Sequence, residues 1–237
     1  MEIDDILQRL EFLSNPAAVE GMARFGITPA KTYGVSMPDL RKMAKDIGRD
    51  HGLARELWAR NIRETRILAG LVDDPRLVDE RQMDDWASEF DYWEICDQSC
   101  LNLFKKTRFA YRKAVEWSGS EKEFVKRAGF VLMACLAVAD KKAGDGPFEE
   151  FLALVKREAS DGRNNVKKAV NWALRQIGKR NLNLNAKAIE VAGEIQKTGC
   201  KSAKRVASDA LRELTGEAVR KRMQGKSSTT KRKNEDP

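Results

Sequence analysis

FVKRAGFVLM (residues 124–133), NVKKAVNWAL (165–174) and SAKRVASDAL (202–211) share one pattern: an apolar or small residue, two basic residues, then Ala or Val at helical spacing. Anchored on Arg127, Lys168 and Arg205, the copies recur after 41 and 37 residues. That period matches helix pairs of the HEAT type, which stack so that neighbours bury a continuous core that no single pair can bury alone. NIRETRILAGL, from Asn61, reads as an earlier degenerate copy. The fold expected is all-α, an α-solenoid of HEAT-like antiparallel helix pairs with a concave basic face. The basic pairs return once per repeat, and a duplex backbone presents its phosphates periodically, so such a face is a fitting cradle for DNA.

The punctuation of the chain agrees with helices throughout. Turn signals separate segments of about 10 to 20 residues, and no run alternates with period two. Asn15-Pro16 is expected to end the first helix, and Ser36-Met37-Pro38-Asp39 to start another, with a serine cap, an early proline and an acid in the first turn. Asp74-Pro75, Gly144 to Pro147 and Asp161-Gly162 read as turns or loops. Asp91 is expected to open a helix running from about Tyr92 to Lys106. The repeat domain is expected over residues 1–223. Residues 224–237, QGKSSTTKRKNEDP, lack apolar periodicity and read as a disordered basic tail, whose Lys231, Arg232 and Lys233 would add non-specific DNA affinity.

Charge divides the chain. The first hundred residues hold 13 basic and 20 acidic residues and the remainder 31 and 16, so a net of +8 conceals an acidic first part and a strongly basic second part. A basic half favours a polyanionic partner, with a solvated basic surface as the plain alternative. No run approaches the roughly 18 apolar residues that span a membrane, and the start MEIDDILQRL carries acids where a signal peptide carries bases. A cytoplasmic protein, nucleoid-associated when bound to DNA, is therefore expected.

Several chemistries are set aside. Cys96, Cys100, Cys135 and Cys200 form no C-x-x-C pair and His51 is the single histidine, so neither a zinc site nor a Ser-His-Asp or Cys-His nucleophile is expected. Phosphate-binding glycine motifs are absent too. No metal and no cofactor is expected, which leaves carboxylates, cations and aromatics.

Two stretches supply these. In FDYWEICDQSC (90–100), Trp93 and Asp97 stand four apart, on one helix face at the edge of the apolar stripe made by Cys96, Cys100 and Leu103. A carboxylate beside an indole can stabilise a developing cation and orient a water; the plain alternative is a core tryptophan with a solvated aspartate. In NNVKKAVNWALRQIGKR (164–180), Val166, Ala169, Val170, Ala173 and Ile177 form the buried stripe. Lys168, Trp172 and Arg175 share another face and suit a sugar–phosphate backbone. A half-exposed tryptophan covered by aliphatic stems explains them equally well. Arg127 takes the repeat position of Lys168 and is expected to face the same way.

The order YGVSMPDLRKMAKDIG, YWEICD, FVKRAGFVLM and NNVKKAVNWALRQIGK resembles the AlkD-type DNA alkylation repair family over roughly residues 20 to 220. That resemblance implies HEAT-like repeats holding duplex DNA, and a monofunctional glycosylase that hydrolyses the N-glycosidic bond of cationic purines, chiefly N7-alkylguanine and N3-alkyladenine, without the usual base-flipping pocket. Carried over by position, Asp97 would stabilise the oxocarbenium-like sugar and position the attacking water, with Trp93 packed on the deoxyribose. Arg127 would grip the backbone near the lesion, Trp172 would be a second sugar-contacting tryptophan, and Arg175 would bind DNA. The partner implied is double-stranded DNA containing alkylated purines, with no obligate protein partner. Active members often carry two tryptophans and an aspartate leading into the catalytic pair; this chain has Tyr92 and Glu94 at the first and third of those places. Glu94 adds a negative charge one turn from Asp97, which weakens phosphate contact or strengthens cation stabilisation. The competing readings are a catalytically silent repeat protein that binds damaged or branched DNA, and a protein–protein scaffold.

Overall fold

The computed structural model describes residues 1–223, and among them the chain is helical, with no strand. The all-α expectation holds. The basic tail expected at 224–237 lies outside the described residues. The chain divides into two compact units, Met1–Ala110 and Tyr111–Pro237.

In the first unit the helices are α1 (Ile3–Phe12), α2 (Pro16–Met22), α3 (Met37–Ile47), α4 (His51–Ala59), α5 (Arg63–Val72), α6 (Glu80–Ser88) and α7 (Trp93–Asn102). Caps set several of the starts. Ser36 Oγ accepts from the Asp39 amide, as the sequence predicts, and Asp50 and Asp79 cap α4 and α6 in the same way. Asn15 behaves differently from expectation. The first helix has already ended at Phe12, and Asn15 caps the next one by accepting from the Ala18 amide, with Pro16 in its first turn. The core lies around α5, which packs on α3, α4 and α7. Beside it Trp58 and Trp86 stack at 4.1 Å with nearly parallel rings.

Helix α7 is shorter than predicted. Leu103 leaves helical geometry, and a 3₁₀ turn at Phe104–Lys106 follows. The break buries Leu103 and Phe104 and sets the Phe104 ring 6.3 Å from both Trp86 and Phe90, apolar contacts that a straight continuation of α7 would not supply. Asp91 does not cap; Tyr92 holds that position, with no side-chain hydrogen bond to the helix start.

The second unit contains α8 (Ala110–Ser118), α9 (Glu123–Ala139), α10 (Gly146–Glu158), α11 (Asn164–Gly178), α12 (Leu182–Lys197) and α13 (Lys201–Leu214). The three repeat segments fall on α9, α11 and α13, and Arg127, Lys168 and Arg205 are each the fifth residue of their helix. These helices pack side by side, α9 on α11 and α11 on α13, while α10 packs on α12 as a second layer. Short connections make the successive helices antiparallel hairpins. The stripe Val166, Ala169, Val170, Ala173 and Ile177 is buried as its spacing predicts. The loop expected at Gly144 to Pro147 is shorter, because α10 starts at Gly146 and takes Pro147 into its first turn, where the missing amide hydrogen has no partner to lose.

Gly129 permits the tightest contact in this unit. A Cβ there would lie 2.6 Å from the Ser118 backbone nitrogen and 2.9 Å from the Trp117 carbonyl carbon, so α8 crosses α9 against bare backbone. Gly193, in α12, has nothing within 4 Å of the same added atom. Two glycine-to-alanine variants should therefore move in opposite directions. Gly129→Ala is expected to destabilise by about 1–3 kcal/mol through overpacking, and Gly193→Ala to stabilise by about 1 kcal/mol through helix propensity. Paired thermal melts check both signs.

Candidate active site and nucleic-acid interface

Trp93 is the first residue of α7 and Asp97 lies one turn later on the same face. Trp93 is half-buried, and its indole Nε1 donates to the Phe25 carbonyl oxygen at 2.8 Å. Phe25 ends a 3₁₀ turn, Ala23–Phe25, and Gly26 follows in the left-handed region, φ 69°. The indole therefore holds the 23–26 turn onto the start of α7. Asp97 is 8% exposed, while Cys96, Cys100 and Leu103 form the closed apolar stripe that the sequence predicts. The alternative of a core tryptophan beside a solvated aspartate has the burial reversed: the aspartate is buried and the tryptophan partly open.

Glu94 is also buried, and its charge is answered. The Arg63 guanidinium from α5 meets it as a two-pronged fork, Nε to Oε2 and Nη2 to Oε1, both at 2.7 Å. The same guanidinium donates from Nη1 to Glu64 Oε1 at 2.9 Å and to the Val35 carbonyl at 3.1 Å. Glu64 in turn accepts from Thr32 Oγ1 at 2.8 Å and from the amides of Tyr33, Gly34 and Val35 at 3.0–3.2 Å. One buried arginine thus ties α5, α7 and the 32–35 segment together. Burial alone would lower the Arg63 pKa; the hydrogen bonds and charges of Glu94 and Glu64 outweigh it and push the guanidinium above its ordinary range. Weaker phosphate contact and stronger cation stabilisation, the two effects expected of Glu94, both presuppose an unpaired charge, and Glu94 is paired with Arg63. Tyr92 is buried with its hydroxyl lacking a hydrogen-bond partner, and burial, then the nearby Glu94 charge, push its phenol well above the usual range.

Arg127, Lys168, Trp172 and Arg175 belong to the second unit. Arg127 is 6% exposed and donates from Nη1 to the Asn165 carbonyl at 2.7 Å, joining α9 to the first turn of α11. Its neighbour Lys126 is buried against Glu158 at 2.8 Å. Lys168 is exposed, so the shared repeat position does not give Arg127 and Lys168 the same environment. Trp172 is half-buried; with the Gln176 amide turned so that its oxygen faces the ring, Trp172 Nε1 donates to it at 3.0 Å. Arg175 pairs with Glu213 of α13 at 2.7 Å, and Lys179 closes on the same carboxylate at 2.6 Å. Burial works against the Glu213 carboxylate, but Lys179 and Arg175 outweigh it and hold its pKa below the ordinary value.

Sequence reasoning missed the Arg63–Glu64–Glu94 cluster. The only available signal was the degenerate repeat at Asn61, in which Arg63 and Glu64 replace the basic pair. Among the described residues no group of three or more His, Cys, Asp or Glu side chains is placed to hold a metal ion. Likewise, no described helix is long and apolar enough to cross a membrane.

Removing Arg63 would strand two buried carboxylates. Arg63→Ala is expected to destabilise the chain by about 3–5 kcal/mol. The double variant Arg63→Met/Glu94→Gln should recover part of that loss, since it removes a buried charge along with its partner. Denaturant unfolding of the wild type and the two variants measures the coupling, and equal stability of both variants would show that the fork contributes nothing.

The comparisons with known proteins agree with this architecture. No curated protein matches the chain. A solved structure of a protein from "a new family of proteins related to the HEAT-like repeat DNA glycosylases with affinity for branched DNA structures" superposes with a TM-score of 0.76. The two share 20% sequence identity, and the match covers 94% of this chain and 96% of that one. The fold is therefore close to that of the HEAT-like repeat glycosylases. The family model for DNA alkylation repair enzymes matches residues 6–214, nearly the full described length, and the chain belongs to that family.

Proposed function

We propose that the protein is a monofunctional DNA glycosylase that hydrolyses the N-glycosidic bond of cationic alkylated purines, N7-alkylguanine and N3-alkyladenine, in duplex DNA. The observation that supports it best is the pairing on α7: a buried carboxylate, Asp97, one turn from a partly open indole, Trp93. An alkylated purine with a fixed positive charge is already a good leaving group. When its glycosidic bond breaks, the bonding electrons pass to the base and neutralise it, and positive charge develops on the sugar. A carboxylate in a low-dielectric setting stabilises that charge far better than it would in water. Water then adds to the anomeric carbon and gives up a proton, which Asp97 accepts. Trp93 offers a flat apolar wall for the deoxyribose; in the second unit Trp172 offers a flat surface to a sugar of the bound duplex, while Arg127, drawn inside to the Asn165 carbonyl, braces α9 on α11.

A second reading has one specific observation in its favour. The solved relative is described by affinity for branched DNA, so a catalytically silent protein that binds damaged or branched DNA is the alternative.

Incubation of the full chain, in chelator, with duplex DNA containing N7-methylguanine separates the two readings. Free base measured by mass spectrometry is expected from the wild type. Asp97→Asn should lower its release by at least about 10²-fold while leaving duplex binding intact, in line with the loss of one preorganised electrostatic group. Release at the wild-type rate by that variant would overturn the role of Asp97. Absence of release by the wild type, with DNA still bound, would establish the silent binder.

A further inference from the structure

The segment between α2 and α3 is fastened to the start of α7 at two points. At the first, the Trp93 indole Nε1 donates to the Phe25 carbonyl at 2.8 Å. At the second, the amides of Tyr33, Gly34 and Val35 donate to Glu64, and the Val35 carbonyl accepts from Arg63, the same guanidinium that grips Glu94. Trp93 and Glu94 are the first two residues of α7. Residues 25–35 therefore form a strap whose two ends meet the first turn of the helix that carries the candidate pair. The two fastenings differ in kind. The one at 32–35 gathers many hydrogen bonds around a buried charge, whereas the one at Phe25 rests on the indole N–H and on residues 23–26, all of which are exposed.

Glycine makes the exposed fastening possible. Gly26 closes the 3₁₀ turn Ala23–Phe25 at φ 69° and ψ 29°, with its amide donating to the Ala23 carbonyl at 2.9 Å. Few residues with a side chain enter that region without strain, asparagine and aspartate being the usual exceptions. A Cβ added at Gly26 would lie 3.8 Å from both Cδ1 and Nε1 of Trp93, an ordinary contact, so the space admits a side chain and only the backbone conformation calls for glycine. The torsion that turns an indole about its Cβ–Cγ bond is broad. An unfastened Trp93 at the half-buried start of α7 would sample several ring planes; with its N–H held on the Phe25 carbonyl the ring keeps one.

We propose that the Phe25–Gly26 turn is a positioning element for base release: Gly26 lets the Phe25 carbonyl meet the Trp93 indole, and that bond sets the ring plane on which the deoxyribose packs beside Asp97. Neither residue touches the reacting atoms; both act through Trp93. This rests on the reading of Trp93 as the sugar-packing wall of a glycosylase. A wall held in one plane before the substrate arrives loses no rotational freedom as the sugar becomes cationic, so the fastening acts on the chemical step and leaves affinity for the duplex alone.

The test is single-turnover release of N7-methylguanine from duplex DNA by the full chain over a range of protein concentrations. This separates the rate at saturating protein from the concentration that gives half of it. Gly26→Val should lower the saturating rate roughly 3- to 10-fold, the worth of one hydrogen bond, with the half-saturating concentration unchanged. Gly26→Asn should restore the rate, because asparagine accepts the left-handed region. Placed on Trp93→Phe, which keeps an aromatic wall without the N–H, Gly26→Val should slow release no further. In nitrogen-15 spectra the indole N–H signal that vanishes in Trp93→Phe should exchange with solvent faster in Gly26→Val than in the wild type. If circular dichroism shows Gly26→Val to be unfolded, Gly26→Ala takes its place. Equal slowing with and without the Trp93 N–H would overturn the action through the indole, and a Gly26→Asn as slow as Gly26→Val would overturn the part given to the turn. An indole proton that exchanges equally fast in the wild type and Gly26→Val would overturn the fastening alone. A wild type that releases no base would overturn the glycosylase reading and the catalytic purpose of the turn with it.

Discussion

Arg63 sits with almost no solvent contact between two carboxylates that arrive from different parts of the first unit. Glu64 is its own neighbour in α5, whereas Glu94 comes from α7, thirty-one residues on. Taking three ions out of water costs several kcal/mol for each, and only close geometry with every remaining lone pair engaged offsets that cost. The geometry here is close. Both prongs of the fork are 2.7 Å, and the Glu64 oxygens also accept a hydroxyl and three successive amides of the 32–35 segment. A cluster of this kind does more to select an arrangement than to deepen its stability. Any other register of α7 on α5 would leave a charge buried and unmatched. Since Trp93 and Asp97 ride on the same turns of α7 as Glu94, the fork fixes where the candidate pair stands.

The same constraint accounts for the composition of α7. Buried carboxylates are rare because they are costly to desolvate, yet Glu94 and Asp97 lie one turn apart in a ten-residue helix that also buries two cysteines and an isoleucine. Had both carboxylates been left to the same solvent-poor surroundings without a cation, each would have raised the other's pKa. The bidentate arginine answers the charge of Glu94. Glu94 becomes an internal structural group, and Asp97 is the acid at the edge of the stripe beside a partly open indole.

What could be read from the sequence, and what could not, divides along the range of the interactions involved. The buried stripe of α11 was legible because Val166, Ala169, Val170, Ala173 and Ile177 follow one helical period, and periodicity is a local property. The serine cap at Ser36 was legible for the same reason. The end of α7 was not, because the apolar pattern continues through Leu103 and Phe104, and only the aromatic cluster with Trp86 and Phe90 explains why the chain turns there. Partner identities were hidden as well. Glu94 finds Arg63 across 31 positions and Arg175 finds Glu213 across 38, and no spacing rule connects such pairs. For the candidate site, the sequence supplied Trp93 and Asp97 as neighbours on one face. The relative burial that makes the aspartate the enclosed member emerges only with the packing.

Divergence within the repeat carries the last step. One position, the fifth residue of a stacked helix, has been put to different uses. At α9 it is Arg127, drawn inside to the Asn165 carbonyl of the next repeat helix. At α11 and α13 it is Lys168 and Arg205, open and without an ion pair among the described residues. In the degenerate copy at Asn61 the residue aligned by sequence is Glu64, second in α5 instead of fifth, a buried acid that serves Arg63. Stacking requires of this position only that the helix face beneath it stay apolar, so the charge above that face is free to vary from copy to copy. Where a following helix offers a carbonyl or carboxylate within reach, the cation turns inward and stiffens the stack. Where none is offered, it stays outside, and its field acts on whatever anion approaches. A repeat protein can in this way distribute bracing and binding among equivalent positions without altering the stack itself.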